Sequence, residues 1–310
     1  MKALGVTGPD FEPRLFDVDE PSPARDEVVV EVMASSVNEF DRAAVRGQYD
    51  GPIDRLTPVL LGRDFVGRVS AVGEDVTYIQ IGMHVAGALA PKASDNGTFT
   101  DKVAVRAELV APVPDGIDLE HAAGVGLAGV SALDAVCALG ITGLEIVAIH
   151  GPVSGAGGYG LQLAKARGAV VAALTLPEHV DLARELGADF VIATDSNPKR
   201  AAHSVRSLFG GGVDAAIHVG GDLAITAEIV RPGGKFTTIA GSIPLIDHLQ
   251  SDFVPTVVTP SGHKLSDLLF KVAARRLRSH VDTTASFDHV GDAVSSPNDS
   301  GRIVLVAEHI

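Results

Sequence analysis

The sequence predicts a two-domain α/β protein in which a doubly wound parallel sheet is inserted into a β-rich domain built from both chain ends. Three observations carry this. The chain has 310 residues, more than the roughly 250–300 at which a single core stops growing. From about Leu119 short apolar runs alternate with amphipathic ones, which is the texture of βαβ units. Before that point, and again at the C-terminus, the apolar runs are rich in β-branched residues and separated by turn formers. The expected division is 1–118 with 278–310 for the β-rich domain and 119–277 for the inserted one.

In order along the chain, EVVVEVMASSV (27–37), FVGRVSAVG (65–73) and GTFTDKVAV (97–105) read as strands. LVAPVPDG (109–116) marks a boundary through its prolines and Gly116. LEHAAGVGLAGVSALDAVCAL (119–139) has helical spacing, with Cys137 read as a small core residue. The alternating series follows: IVAIH, YGLQLAKARG, VVAALT, VDLARELG, FVIAT, RAAHSVRSLFG, DAAIHVG, LAITAEIV and KFTTIAG. Such serial strands and helices imply a parallel sheet covered on both faces. VPTVVTP (254–260) reads as one more strand, KLSDLLFKVAARRL (264–277) as a helix, and RIVLVA (302–307) as a closing strand.

Composition narrows the function. Lys and Arg number 25 against 39 Asp and Glu, a net charge of −14. Nucleic-acid phosphates would repel such a chain, and RRLR (275–278) reads as a complement to a helix C-terminus. A single cysteine rules out an intrachain disulfide and a cysteine-built structural zinc site. The first residues lack a signal-peptide pattern, and no apolar run reads as a membrane span, so a cytoplasmic protein with no membrane partner is expected.

The stretch HGPVSGAGGYG (150–160) lies between a strand and a helix. Gly155, Gly157 and Gly160 give G-x-G-x-x-G, which can cradle a pyrophosphate at a helix N-terminus or merely make a tight turn. The strand-loop-helix context favours dinucleotide binding. The second strand ends at 174–176 without the acid that binds the ribose of NAD, and without a basic replacement. Thr175 and His179 are the nearest polar groups, although His179 fits a surface role equally well.

With these blocks in place, ASSVNEFDRAAVRGQY, LLGRDFVGRVSAVGEDV, GTFTDKVAV, IHGPVSGAGGYGLQLAKARGA and RELGADFVI together resemble the medium-chain dehydrogenase/reductase superfamily. The resemblance is closest to its zinc-free quinone oxidoreductase, zeta-crystallin-like, branch. It implies a GroES-like catalytic domain, a Rossmann domain, NADPH as cofactor and a homodimer. It also implies a cofactor site. Ser154, Gly155, Ala156 and Gly157 form the loop, where Ser154 stands for a glycine and could donate its hydroxyl to the pyrophosphate. Thr194 occupies a common tyrosine position and Glu178 a common lysine position. Gly220 follows the fourth strand, where His218 stands for a common aspartate. Gly241 and Ser242 follow the fifth strand, at the edge where open α/β sheets bind ligands. Ser131 matches a threonine near the cofactor or simply packs in its helix. Arg302 reaches the adenosine phosphate or lies on the surface.

Zinc-dependent members carry Cys and His-Glu ligands where this chain has Asn38 and Arg63-Asp64, and its eleven histidines lack ligand spacing. No metal is therefore expected. Without a Lewis acid, a hydride donor can still reduce a quinone, enone or enal, because the carbonyl spreads the developing charge. Asn38 and Tyr49 are the candidate catalytic groups. Asn38 would donate to the enolate oxygen and Tyr49 would donate a hydrogen bond or proton. The alternative readings are that Asn38 only caps a turn and that Tyr49 simply packs, while Asp41 is read as a helix cap. The expectation is a zinc-independent NADPH-dependent oxidoreductase acting on a small molecule. The alternatives are a redox-neutral cyclisation or elimination on the same scaffold, or a non-catalytic NADPH-binding protein.

Overall fold

In the run Glu27–Ser36, valines at 28, 29, 30 and 32 are all buried, so this strand has apolar neighbours on both faces and becomes the hub of its sheet. The computed structural model describes residues 1–8, 10–48, 58–90, 96–194, 197–239, 251–295 and 302–307. Tyr49, Gly241 and Ser242 lie outside the described residues.

The first part of the chain carries β1 (Lys2–Val6), β2 (Arg14–Asp17), β3 (Glu27–Ser36), α1 (Glu39–Val45), β4 (Val59–Leu60), β5 (Asp64–Val72), β6 (His84–Ala88), β7 (Lys102–Arg106), β8 (Val110–Pro112) and α2 (Leu119–Leu139). Then come β9 (Ile146–His150), α3 (Gly155–Ala166), β10 (Val170–Thr175), α4 (Val180–Glu185), β11 (Phe190–Ala193), α5 (Pro198–Leu208), β12 (Val213–His218), α6 (Leu223–Glu228), β13 (Val230–Thr238) and β14 (Asp252–Phe253). The chain finishes with α7 (Gly262–Ala273), β15 (Thr283–Ser286), α8 (Val290–Ser295) and β16 (Ile303–Val306).

Two compact units result, Met1–Val130 with Thr259–Ile310, and Ser131–Val258. In the first, β1 pairs with β2 and β4, and a larger sheet runs β15-β16-β3-β5-β6-β8, with β7 also on β3. Val28, Val30, Phe65, Val85 and Val103 form one core of this unit. Leu4, Val6, Leu61, Phe99, Val294 and Leu305 form another, which joins β1 and β16 to α8. In the second unit all pairings are parallel, in the order β11-β10-β9-β12-β13-β14. This is the doubly wound arrangement, with its switch point between β9 and β12.

Four sequence expectations change. The helix α7, expected in the inserted domain, packs on β8 and β6 of the first unit. VPTVVTP is not a strand: only Asp252–Phe253 pairs with β13, and Pro255 and Pro260 each lack the N–H a ladder needs. Cys137 is exposed, not in the core, with Arg167 Nη2 at 2.9 Å from its sulfur. Among the described residues one helix, α2, is long and apolar enough by length and composition to cross a membrane, contrary to the sequence reading, but most of it is buried within the protein.

Candidate cofactor and catalytic site

In the second unit the site forms where the parallel strands end together. Leu174 of β10, His150 of β9, His218 of β12 and Thr238 of β13 are consecutive register partners. After β9 the chain turns at Gly151, whose φ of 87° favours glycine. Ser154 then caps α3, accepting from Gly157 N at 3.2 Å. A Cβ on Gly157 would stand 2.0 Å from Gly151 O, so the loop closes this tightly only with glycine there. The Ser154 hydroxyl donates to Gly151 O at 2.8 Å. Its proton is thus held inside the loop, and the expected donation from Ser154 to a pyrophosphate is replaced by a capping role. Gly155 and Ala156 open the helix, and the first N–H groups of a helix have no intrahelical partner and attract anions.

The turn after β12 meets this loop. Val219 N and Gly220 N both donate to His150 O, at 2.9 and 3.2 Å. A Cβ on Gly151 would lie 2.9 Å from Gly220 N, whereas one on Gly220 would meet no described heavy atom within 4 Å. Open space beside a helix N-terminus, at the switch point of the sheet, is what a dinucleotide needs, so these residues fit the cofactor. At the next strand end, Thr175 is buried and its carbonyl accepts from Thr194 N at 2.7 Å. His179 is half-buried in a short 3₁₀ turn and Glu178 beside it is exposed. Ser131 is buried in α2.

In the first unit, Asp64 gathers the polar groups. Its wholly buried carboxylate accepts from Ser36 N at 2.8 Å, the Ser36 hydroxyl, Asn38 Nδ2 at 3.0 Å and Leu127 N at 3.1 Å. Leu127 N is available because α2 is kinked at Gly126, where a Cβ would lie 2.3 Å from that of Asp64. Burial pushes the Asp64 carboxyl up, while the donated hydrogen bonds and the nearby Arg302 cation pull it down. Arg302 is buried rather than on the surface, its side chain lying over Gly124.

Asn38 begins α1, and its amide also donates to Ser36 O at 3.0 Å. One amide hydrogen of Asn38 goes to Ser36 O and the other to Asp64, while its side-chain oxygen faces the Asp41 N–H in a capping box. The expected donation from Asn38 to an enolate is therefore not what this geometry offers. Asp41 does act at the helix start, accepting from Asn38 N at 2.8 Å and from Gly62 N at 2.7 Å. Burial, countered by the Arg63 cation, raises Asp41 to about 6. Among the described residues no three His, Cys, Asp or Glu side chains converge on one point.

Sequence reasoning passed over the hub role of Asp64, the kink at Gly126, and Gly221 with the two histidines against it. Asp64 had a signal, as the acid of the GRD block, but was read only as a missing zinc ligand.

A parallel sheet with a glycine-lined helix N-terminus at its switch point, joined to a β-rich unit from both chain ends, defines a two-domain dehydrogenase or reductase. Residues 24–115 match the alcohol dehydrogenase GroES-like domain and residues 155–262 the zinc-binding dehydrogenase family. The chain belongs to the medium-chain dehydrogenase/reductase superfamily. It is 30% identical over 237 residues to an alcohol dehydrogenase of Geobacillus stearothermophilus, covering 68% of each chain. It is 29% identical over 238 residues to the enoyl reductase component lovC of lovastatin nonaketide synthase from Aspergillus terreus, covering 69% of this chain. The chain spans 10% of a matching polyketide synthase subunit and 62% of lovC. The solved structure of mycobacterial Rv1454c complexed with NADPH superposes with a TM-score of 0.85 at 25% identity, over 99% of this chain and all of that one.

Proposed function

We propose that this protein is a zinc-independent, NADPH-dependent reductase of a quinone, enone or enal. The observation that carries the reading is the room at Gly220, where a Cβ would meet no described heavy atom within 4 Å, next to Gly151 at the turn before α3. When bound, the nicotinamide supplies a hydride to the electron-poor carbon of a conjugated carbonyl compound. The first-turn amides of α3 hold the pyrophosphate; the strand ends at 174–176 without the acid that binds the ribose of NAD, which favours NADPH, while Glu178 beyond it works against a 2′-phosphate. Asn38, its amide held by Asp64 and Ser36, is assigned the catalytic role that the resemblance gives it. Tyr49 is assigned the role of hydrogen-bond or proton donor to the carbonyl oxygen. An enoyl reductase among the relatives and a neighbour complexed with NADPH support the substrate and cofactor classes. Cytoplasmic location and a homodimer complete the proposal.

The test is NADPH oxidation with a panel of quinones, enones and enals, with and without a strong chelator. The proposal expects acceptor-dependent oxidation that the chelator leaves unchanged. Binding of NADPH without turnover on any acceptor would favour a cofactor-binding protein, and loss of turnover on chelation would remove zinc independence.

A further inference from the structure

His150 and His218 end adjacent strands in register, and both are 6% exposed. Their rings meet edge-on, with centroids 5.8 Å apart at 81°. Each Nδ1 faces a threonine hydroxyl: His150 to Thr226 at 2.8 Å, His218 to Thr238 at 3.0 Å. Their partners fix different tautomers. His218 Nε2 lies 3.2 Å from Gly221 O, and a carbonyl only accepts, so His218 carries its proton on Nε2 and accepts from Thr238. Thr226 donates back to Asp222 O at 3.4 Å, so its oxygen takes the Nδ1 proton of His150. This leaves His150 Nε2 bare and turned toward Gly221, where a Cβ would stand only 2.4 Å from it.

Gly221 is thus gripped from two sides. One ring donates to its carbonyl, and the other packs against its Cα with a nitrogen that needs no hydrogen there. Gly221 has a φ of 89°, so the turn relies on glycine as well as on the two rings. Burial holds both rings below their usual range, His150 at about 4, so the grip consists of neutral rings at physiological pH. The residue before Gly221 is Gly220, whose N and Cα would stand 2.9 and 3.3 Å from a Cβ on Gly151.

We propose that His218 and His150 are positioning residues for the dinucleotide: by clamping Gly221 they fix the β12–α6 turn so that Gly220 leaves room for the cofactor beside the α3 N-terminus. This rests on the reading of the site as a dinucleotide site. The clamp acts through the turn, so what matters at position 218 is a donor at the place of Nε2, not a ring.

Glutamine and asparagine separate the two nitrogens. His218→Gln puts an N–H near the Nε2 position, while His218→Asn keeps only a polar group near Nδ1. The experiment is NADPH titration of both variants by nicotinamide fluorescence, with thermal unfolding followed by circular dichroism on the same samples. The expected result is that Gln binds within about threefold of wild type, while Asn binds at least about tenfold more weakly, the loss of one good hydrogen bond. The two should unfold at similar temperatures. Asn binding as tightly as wild type, or both variants losing affinity in step with stability, would overturn the inference while leaving the dinucleotide site in place. Failure of the wild-type protein itself to bind NADPH would overturn the reading of the site, and the inference with it.

Discussion

Acid titration of folding stability should separate two buried groups that oppose each other, His150 in the unit 131–258 and Asp41 in the other. Burial, with His218 adding to it, lowers His150 from 6.5 to about 4. On acidification the unfolded chain therefore takes up the proton first. The stability that His150 contributes is complete above pH 6.5 and is lost as the pH falls toward 4. Over that gap, at about 1.4 kcal/mol per pH unit, the loss is on the order of 3 kcal/mol. Asp41 has the reverse sign: burial raises it from 3.8 to about 6, so the folded state binds the proton first and gains stability as the pH falls from about 6 to 3.8. The gain is again on the order of 3 kcal/mol. The two slopes offset each other in the wild type and should appear singly in variants. His150→Asn keeps a donor for Thr226 but cannot titrate. Relative to wild type it should become more stable between pH 7 and 4 by on the order of 3 kcal/mol. Asp41→Asn should become less stable over the same range by a similar amount. The chain has no tryptophan, so urea unfolding is best followed by far-ultraviolet circular dichroism, fitting each unit's transition if two appear. Parallel pH profiles for the wild type and both variants would refute the reasoning from burial.

Other outcomes follow from close approaches in the two units. Gly220→Leu enters open space, so its unfolding temperature should match wild type while NADPH affinity falls at least about tenfold; an unchanged affinity would show that nothing binds there. Gly157→Ala drives a Cβ into Gly151 O and should cost at least about 2 kcal/mol of stability in urea unfolding together with cofactor binding. Asp64→Asn replaces an acceptor-only group with one that carries hydrogens toward Ser36 N, Asn38 Nδ2 and Leu127 N. A loss of about 3 kcal/mol in urea unfolding is expected, with kcat/KM falling further than stability explains.

The strand-and-helix order from Leu119 to Phe236 was readable because each element is continuous in sequence and its apolar period matches its burial. The α3 loop was readable for the same reason: glycines at 155, 157 and 160 sit between a strand and a helix. What could not be read were contacts across long separations. Nothing near Gly126 says that Asp64, 62 residues earlier, will occupy the space a side chain would need. Asn38 was found as a residue, but whether it donates or accepts depends on which of its atoms Ser36 and Asp64 engage, and that is a property of the folded sheet. Likewise Ser154 was read as a donor to a pyrophosphate, and the fold, with its positive φ at Gly151, gives its hydroxyl the Gly151 carbonyl. His218 stood out as a substitution, and its meaning needed Gly221 beside it.

The central claim is that the end of the parallel sheet holds NADPH for hydride transfer. Its most direct test is titration of the purified protein with NADPH and, separately, NADH, following nicotinamide fluorescence. Saturable binding of NADPH, tighter than that of NADH and lost in Gly220→Leu, is the predicted result. No binding of either dinucleotide at millimolar concentration would contradict it, and the glycine-lined space would then serve some other chemistry.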